Sequence, residues 1–151
     1  MNNNSNTKNN FRALRARDPE LEAACTVAVR DSLKIKPEER VLIITNPEEE
    51  VYSISLGLYD AVLAAGGRPA LLVQQPKTQL DFAEDAVNAA IASEPEVIIS
   101  MSAEKLGKDA AAQRNPILHE GVYWDKTFEY LLHGKKSVRS FWSPKATRDM
   151  F

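Results

Sequence analysis

The sequence predicts a Rossmann-like α/β domain of three layers around a mostly parallel sheet of about four or more strands. Two kinds of segment predict it. VLIIT at 41–45 and EVIISM at 96–101 are short, almost continuously apolar runs rich in branched residues. Such runs read as strands buried on both faces, the mark of a parallel sheet. They alternate with stretches of helical length, so strand, helix, strand, helix, strand gives two successive crossovers, right-handed by rule.

The elements follow in chain order. Residues 1–17, beginning MNNNSNTKNNF, form a polar tail with no signal-peptide character and are expected to be disordered. A domain spans 18–143. Its first helix starts with Asp18 as N-cap, Pro19 at the first helical position and Glu20 behind it. Leu21, Cys25, Ala28 and Ser32 then share a face, with Ala24 and Leu33 beside them. The stretch KIKPEER breaks this helix and leads into the strand VLIIT.

A second helix is expected over 47–65, stopped by Gly66 and Gly67. Asn46 is its expected N-cap, Pro47 its first residue and Glu49 its third, with Glu48 and Glu50 favoured by the positive end of the helix dipole. It carries two apolar stripes, Val51, Ile54, Leu58, Val62 and Ala65 on one and Tyr52, Leu56, Tyr59 and Leu63 on the other. A helix lying only on a sheet needs one stripe, so the second predicts a neighbouring helix, domain or subunit.

PALLV at 69–73 is the next strand. A third helix is expected over 79–93, with Thr78 and Asp81 as a variant capping box and Leu80, Ala83, Val87 and Ala90 or Ile91 facing the core. Residues 102–125 are charged and alanine-rich, compatible with a helical turn or two or with a loop. WDKTFEYLLHG gives a short helix capped by Asp125 and stopped by Gly134, and SVRSFW a fourth strand. Ser143 and Pro144 open a helix over 144–151 without a stop signal, expected to lead into a C-terminal domain of a longer protein.

Composition narrows the function. Apolar residues make up 44% and charged residues 26%, with a net charge of −2, which gives no electrostatic footprint for nucleic acid. No apolar run reaches the roughly 20 residues of a membrane span, and the single cysteine, Cys25, falls on an apolar helix face. A cytoplasmic protein without a membrane partner is expected.

The turn NPEEE stands where a nucleotide-binding domain carries glycines, and its glutamates repel a phosphate. Every residue of the turn is first accounted for as a helix start; an electronegative rim facing a cation or an amine at the strand ends is the alternative reading. HEGVY begins like a zinc-protease motif but puts Tyr123 where the second histidine belongs, and His133 reads as a helix-end residue. One cysteine and two separated histidines do not build a zinc site. No nucleophile elbow is present. Lys105, Lys108 and Arg114 are interleaved with acids and read as a solvated loop; the aromatic groups Tyr123, Trp124, Phe128 and Phe141, Trp142 read as core or interface. No catalytic residue is identified. The candidate cavity rim comprises Asn46, Glu48, Ser100 and Ser102, all at strand ends where open α/β sheets bind ligands.

DSLKIKPEERVLIIT together with YDAVLAAGGRPALLV resembles the N-terminal domain of the thermophilic metallo-aminopeptidases of the aminopeptidase T or leucyl aminopeptidase type. The matching positions are 32–36, 41–44, 64–67 and Pro69, and Glu39 stands where the family usually has glycine. SVRSFWSPKATRDMF resembles the passage into that family's second domain. The resemblance implies a cytoplasmic, usually dimeric enzyme acting on peptides. Two divalent ions, of zinc, cobalt or manganese type, would be held by its C-terminal domain and by no residue of this chain. Ring-opening dioxygenases of dihydroxypyridines share the architecture with iron instead, and a non-enzymatic binding or oligomerisation module is the third reading.

Overall fold

The computed structural model describes residues 18–151; the tail at 1–17 lies outside the described residues. The four-stranded sheet has the order β2-β1-β3-β6, all parallel, formed by β1 (Arg40–Thr45), β2 (Arg68–Val73), β3 (Val97–Met101) and β6 (Arg139–Trp142). Its register sets Leu42 beside Ile98, Ile43 beside Ile99 and Thr45 beside Met101. Helices cover both faces, so the predicted three-layer α/β fold is the one observed.

Alternation along each strand sorts the core into two layers. Val41, Ile43, Val97, Ile99 and Met101 pack against α1 (Pro19–Val27) and α2 (Glu49–Ala64). Leu42, Ile44, Ile98 and Val138 pack against α3 (Asp85–Ala92) and the helical segment formed by α5 (Thr127–Glu129) and its π-turn continuation Tyr130–Gly134. Every residue from Val41 to Thr45 is buried, as a central parallel strand requires.

The first helix starts as expected, with the Asp18 carboxylate accepting from the Leu21 N–H at 3.1 Å. Cys25 is fully buried between α1 and α2, where an added Cβ on Gly57 would come within 2.8 Å of its sulfur. The two helices therefore touch at a residue without a side chain. One stripe of α2 lies on the sheet; of the other, Leu56 is buried while Leu63 remains 50% exposed. The α2 stop also holds. Gly66 has φ of +83°, and the Gly67 N–H bonds the Val62 carbonyl at 2.9 Å, the Schellman pattern.

Glu39, the residue standing in place of a glycine, anchors its turn. Its carboxylate accepts from the Lys36 N–H at 2.9 Å and from both terminal nitrogens of Arg139 at 2.6 and 3.0 Å. Arg139 also donates from Nε to the Leu33 carbonyl at 3.1 Å. The edge strand β6 is thereby fastened to the α1–β1 connection.

Four expectations are corrected. The second helix begins at Glu49, with Glu48 rather than Asn46 at the cap position, because Asn46 is buried with its amide bonded to other strand ends. The third helix begins at Asp85, not Gln79. Thr78 N–H does bond the Asp81 carboxylate at 2.8 Å, but the Thr78 hydroxyl accepts from the Leu80 N–H instead of that of Asp81. Lys77 and Phe82 bridge to Lys105 and Lys108, so the segment turns without entering a helix and leaves Leu80 76% exposed. Asp125 is replaced as cap of α5 by Asp109, whose carboxylate accepts from the Thr127 N–H at 3.0 Å. Beyond Pro144 the chain is irregular, with one short 3-10 turn at Arg148–Met150, because Ser143 and Lys145 donate backbone N–H groups to the Ser100 and Ser102 carbonyls.

The undecided stretch 102–125 contains α4 (Ala110–Arg114) and a hairpin of β4 (Ile117–His119) and β5 (Val122–Trp124). Glu120 and Gly121 turn it, both with positive φ, the geometry of the tight primed turns that suit a hairpin's twist.

Candidate functional site

In an open α/β sheet the ligand crevice opens where the strand order reverses, here between β1 and β3, whose connections run to opposite sides. Asn46 fills that position. It is fully buried; its Nδ2 donates to the Gln74 carbonyl at 2.8 Å and its Oδ1 accepts from the Ala103 N–H at 2.6 Å. One side chain therefore ties together the ends of β2, β1 and β3. Thr45 reinforces the seam, its hydroxyl donating to the Met101 carbonyl at 3.1 Å.

Ser100 and Ser102 are also fully buried, with their hydroxyls 3.2 Å apart. Their carbonyls receive the N–H groups of Ser143 and Lys145, so the chain after β6 closes over the strand ends and buries Ala146. The structure thus brings Asn46, Ser100 and Ser102 together at one end of the sheet, but as a closed internal network. Glu48 stands apart, exposed, with its carbonyl accepting from the Tyr52 N–H.

The acidic turn faces a cation of this same chain. Arg148 donates its backbone N–H to Glu50 at 2.8 Å, and its guanidinium lies 3.3 Å from Glu49 and 3.4 Å from Glu50. Phe151, beside it, meets Phe141 edge-on at 5.9 Å. The C-terminal strap is held at both its charged and its aromatic residues.

The two histidines are far from forming a pair of ligands. His119 sits in the hairpin, edge-on to Tyr130 at 5.4 Å, and His133 lies 3.9 Å from Glu129 one turn away. Among the described residues no group of three His, Cys, Asp or Glu side chains is placed to hold a metal ion. No helix among them is long and apolar enough to cross a membrane.

An open cleft of 540 Å³ lies elsewhere, on the α3 and α5 side of β6. Ser140 and Trp142 of β6, Asn88 of α3, and Phe128 and Leu132 of the α5 segment line it, together with residues 105–109 and Lys126. Alternation on β6 explains the split of its two aromatics: Phe141 joins the α1–α2 core, whereas Trp142 faces the cleft and is 51% exposed. The Ser140 hydroxyl is shut off from water without a hydrogen-bond partner among the described residues.

The lysine-bearing loop of this cleft is clamped. Lys105 N–H bonds the Lys77 carbonyl, Lys108 N–H the Asp81 carbonyl, and the Lys108 carbonyl accepts from Ala83 N–H. Gln74 donates from Nε2 to the Leu106 carbonyl at 2.8 Å. Gly107 adopts φ of +102° with Ala83 so close that an added Cβ would stand 2.5 Å from its nitrogen. Asp109 ends the loop, buried, one oxygen accepting from Ala112 N–H and the other from Thr127 N–H. Burial pushes its carboxyl upward, but these N–H groups outweigh that and hold it below the usual aspartate range.

Sequence reasoning placed this loop in solvent. Its sequence signal is faint: Gly107 stands between Leu106 and Lys108, but the partners at Lys77 and Phe82 are too distant in sequence to be visible as pairs. No protein-family model matches this chain, and no curated protein matches it.

Proposed function

We propose that this chain is the Rossmann-like N-terminal domain of a cytoplasmic, metal-dependent aminopeptidase that assembles as a homodimer and hydrolyses peptides from their N-termini. The reading rests on the resemblance of 31–45 and 59–73 to that family. One structural observation supports an accessory rather than a catalytic role for this domain: the polar side chains at its strand ends, Thr45, Asn46, Ser100 and Ser102, are all buried and hydrogen-bonded within the chain. A reaction centre needs such groups turned to a substrate.

The described residues do not fit a pair of divalent ions, since they gather no ligand group, and no chemical step is assigned to them through such ions. In this reading the ligands belong to the C-terminal domain. The acidic turn contributes less to an amine-binding rim than its composition suggests, because Arg148 already faces Glu49 and Glu50, leaving Glu48. Leu118 and Tyr123, paired across the hairpin at 57 and 70% exposure, are one apolar surface available for contact with another domain or subunit.

The test is to express the whole reading frame that contains this sequence and assay leucine 4-nitroanilide hydrolysis before and after chelation. Chelator-sensitive hydrolysis restored by zinc, cobalt or manganese is expected, with none from residues 1–151 alone. Iron-dependent oxygen uptake with a dihydroxypyridine, and no hydrolysis, overturns the reading in favour of the dioxygenase. A binding module is the second reading, favoured by the open cleft beside β6.

A further inference from the structure

We propose that the cleft beside β6 is a binding site for a small organic anion with a planar apolar body. The inference is independent of the aminopeptidase reading, because it concerns a surface outside the buried Asn46, Ser100 and Ser102 network and involves no hydrolysis.

Size is the first observation. The cleft measures 540 Å³, inside the range of about 300–1,000 Å³ typical of small-molecule sites. Charge is the second. Lys105, Lys108 and Lys126 line it, and none of them has a carboxylate within ion-pair distance among the described residues. The acids nearby are otherwise engaged. Glu129 faces His133, both oxygens of Asp109 accept backbone N–H groups, and Asp81, which feels the charge of Lys108, accepts from the Thr78 N–H. The lining carries three lysines against two carboxylates, Asp109 and Glu129, a formal excess of one positive charge, opposite in sign to the chain as a whole.

The walls supply the apolar half of the recognition. Trp142 presents a half-exposed indole, with Leu106, Phe128 and Leu132 completing the lining. The Lys105 ammonium stands 5.7 Å from the centre of the Trp142 ring. A planar group that takes the indole face from the Lys105 ammonium lying over it keeps that cation within reach of its carboxylate or sulfonate. An inorganic anion uses only the lysines, and a neutral apolar molecule only the walls.

Preorganisation is the third observation. Lysines on a free loop lose entropy when they close on an anion, but residues 105–108 are bonded to 77–83 through three backbone hydrogen bonds and to Gln74 through a fourth. The backbone that carries Lys105 and Lys108 is fixed before anything binds, which lowers the cost of ordering this loop around a ligand.

The experiment is a titration of the isotope-labelled chain with 2-naphthoate, followed by amide and indole NMR shifts, with 2-naphthamide and inorganic phosphate as parallel probes. Saturable shifts are expected at Trp142 and residues 105–109, with naphthoate binding about tenfold or more tighter than either control. The double change Lys105→Gln with Lys126→Gln should weaken naphthoate about tenfold while leaving the naphthamide response unchanged. Both lysines are solvent-facing partners of no ion pair, and the unchanged spectrum elsewhere verifies the fold. Trp142→Ala should weaken naphthoate and leave phosphate unaffected. Absence of saturable naphthoate binding overturns the proposal. So does equal binding of naphthamide, which marks a plain apolar patch, or equal binding of phosphate, which marks a charge cluster without the planar contact.

Discussion

The Asn46 side chain accepts a hydrogen bond from the Ala103 N–H at 2.6 Å, across the point where the strand order of the sheet reverses. Its other end donates to the Gln74 carbonyl, so both polar atoms of the amide are matched to buried backbone groups. Only an amide has this donor–acceptor pair at this size.

Asn46→Ala should therefore leave two buried backbone groups unpaired and cost about 2–4 kcal/mol. Asn46→Asp keeps the acceptor for Ala103 but turns a carboxylate oxygen toward the Gln74 carbonyl, and should be at least as damaging. Urea unfolding of the three proteins measures this. Equal midpoints would show that the strand ends do not depend on the latch.

Asn46 also shows where sequence reasoning reached its limit. An asparagine before Pro47 and three glutamates has every local mark of a helix cap, and local marks are what a sequence displays. The two partners that claim it lie 28 and 57 residues away. Thr78 and Asp81 repeat the lesson: the Asp81 carboxylate accepts from the Thr78 N–H, but the Thr78 hydroxyl turns to Leu80 and the bridges of Lys77 and Phe82 to Lys105 and Lys108 prevent a helix from following. The strands were legible because a buried parallel strand is apolar on both faces whatever its neighbours. The hairpin at 117–124 did carry a readable signal, a two-residue Glu-Gly turn between the triplets Ile117-Leu118-His119 and Val122-Tyr123-Trp124, weakened by the histidine that interrupts the apolar pattern. Of the strand-end candidates, position was legible and accessibility was not. Burial of Ser100 and Ser102 depends on the strap after β6 folding back over them.

The contact between Gly57 and Cys25 should show as coupling. In an isolated helix Gly→Ala is worth about 1 kcal/mol in favour of alanine. Here the new methyl would meet the Cys25 sulfur at 2.8 Å inside a filled core, so Gly57→Ala should instead destabilise by about 1–3 kcal/mol. Cys25→Ala alone should also destabilise, by opening a cavity. The double variant should be more stable than the sum of the two changes, because the added methyl occupies the space the sulfur leaves. Strict additivity in a double-mutant cycle would place the two helices further apart than the structure has them.

Acid should weaken the tie between β1 and the turn before β3. Hydrogen bonds from the Arg40 side chain, then from its backbone N–H, hold the Glu96 carboxyl at about 2, well below its ordinary 4.5. A carboxyl depressed in the folded state binds fewer protons there than in the unfolded chain. Its stabilisation is present above pH 4.5 and disappears as the pH falls through 2. More than a third of the Glu96 side chain is exposed, so screening limits the effect to about 1 kcal/mol or less. Glu96→Gln should be less stable than the parent near neutral pH, and the difference should close on titration toward pH 2. A gap that persists at that pH would assign the loss to packing rather than charge.

Asp109 joins two helices and borders the cleft, so its replacement should have two separable consequences. One carboxylate oxygen caps α4 through Ala112 and the other caps α5 through Thr127, both at 3.0 Å. Asp109→Asn retains one acceptor and sets an NH₂ against a backbone N–H, losing one cap worth about 1 kcal/mol. Asp109→Ala loses both and should cost about 2–3 kcal/mol, since the abandoned N–H groups are shielded from water. Because the folded-state carboxyl is held below its ordinary 3.8, the contribution is present above that pH and fades as the pH drops further. Hydrogen exchange locates the damage. Faster exchange at Thr127 in both variants, and at Ala112 only in the alanine variant, is expected if the asparagine keeps its oxygen toward α4. Exchange at Thr127 unchanged from the parent would show that α5 is positioned without Asp109.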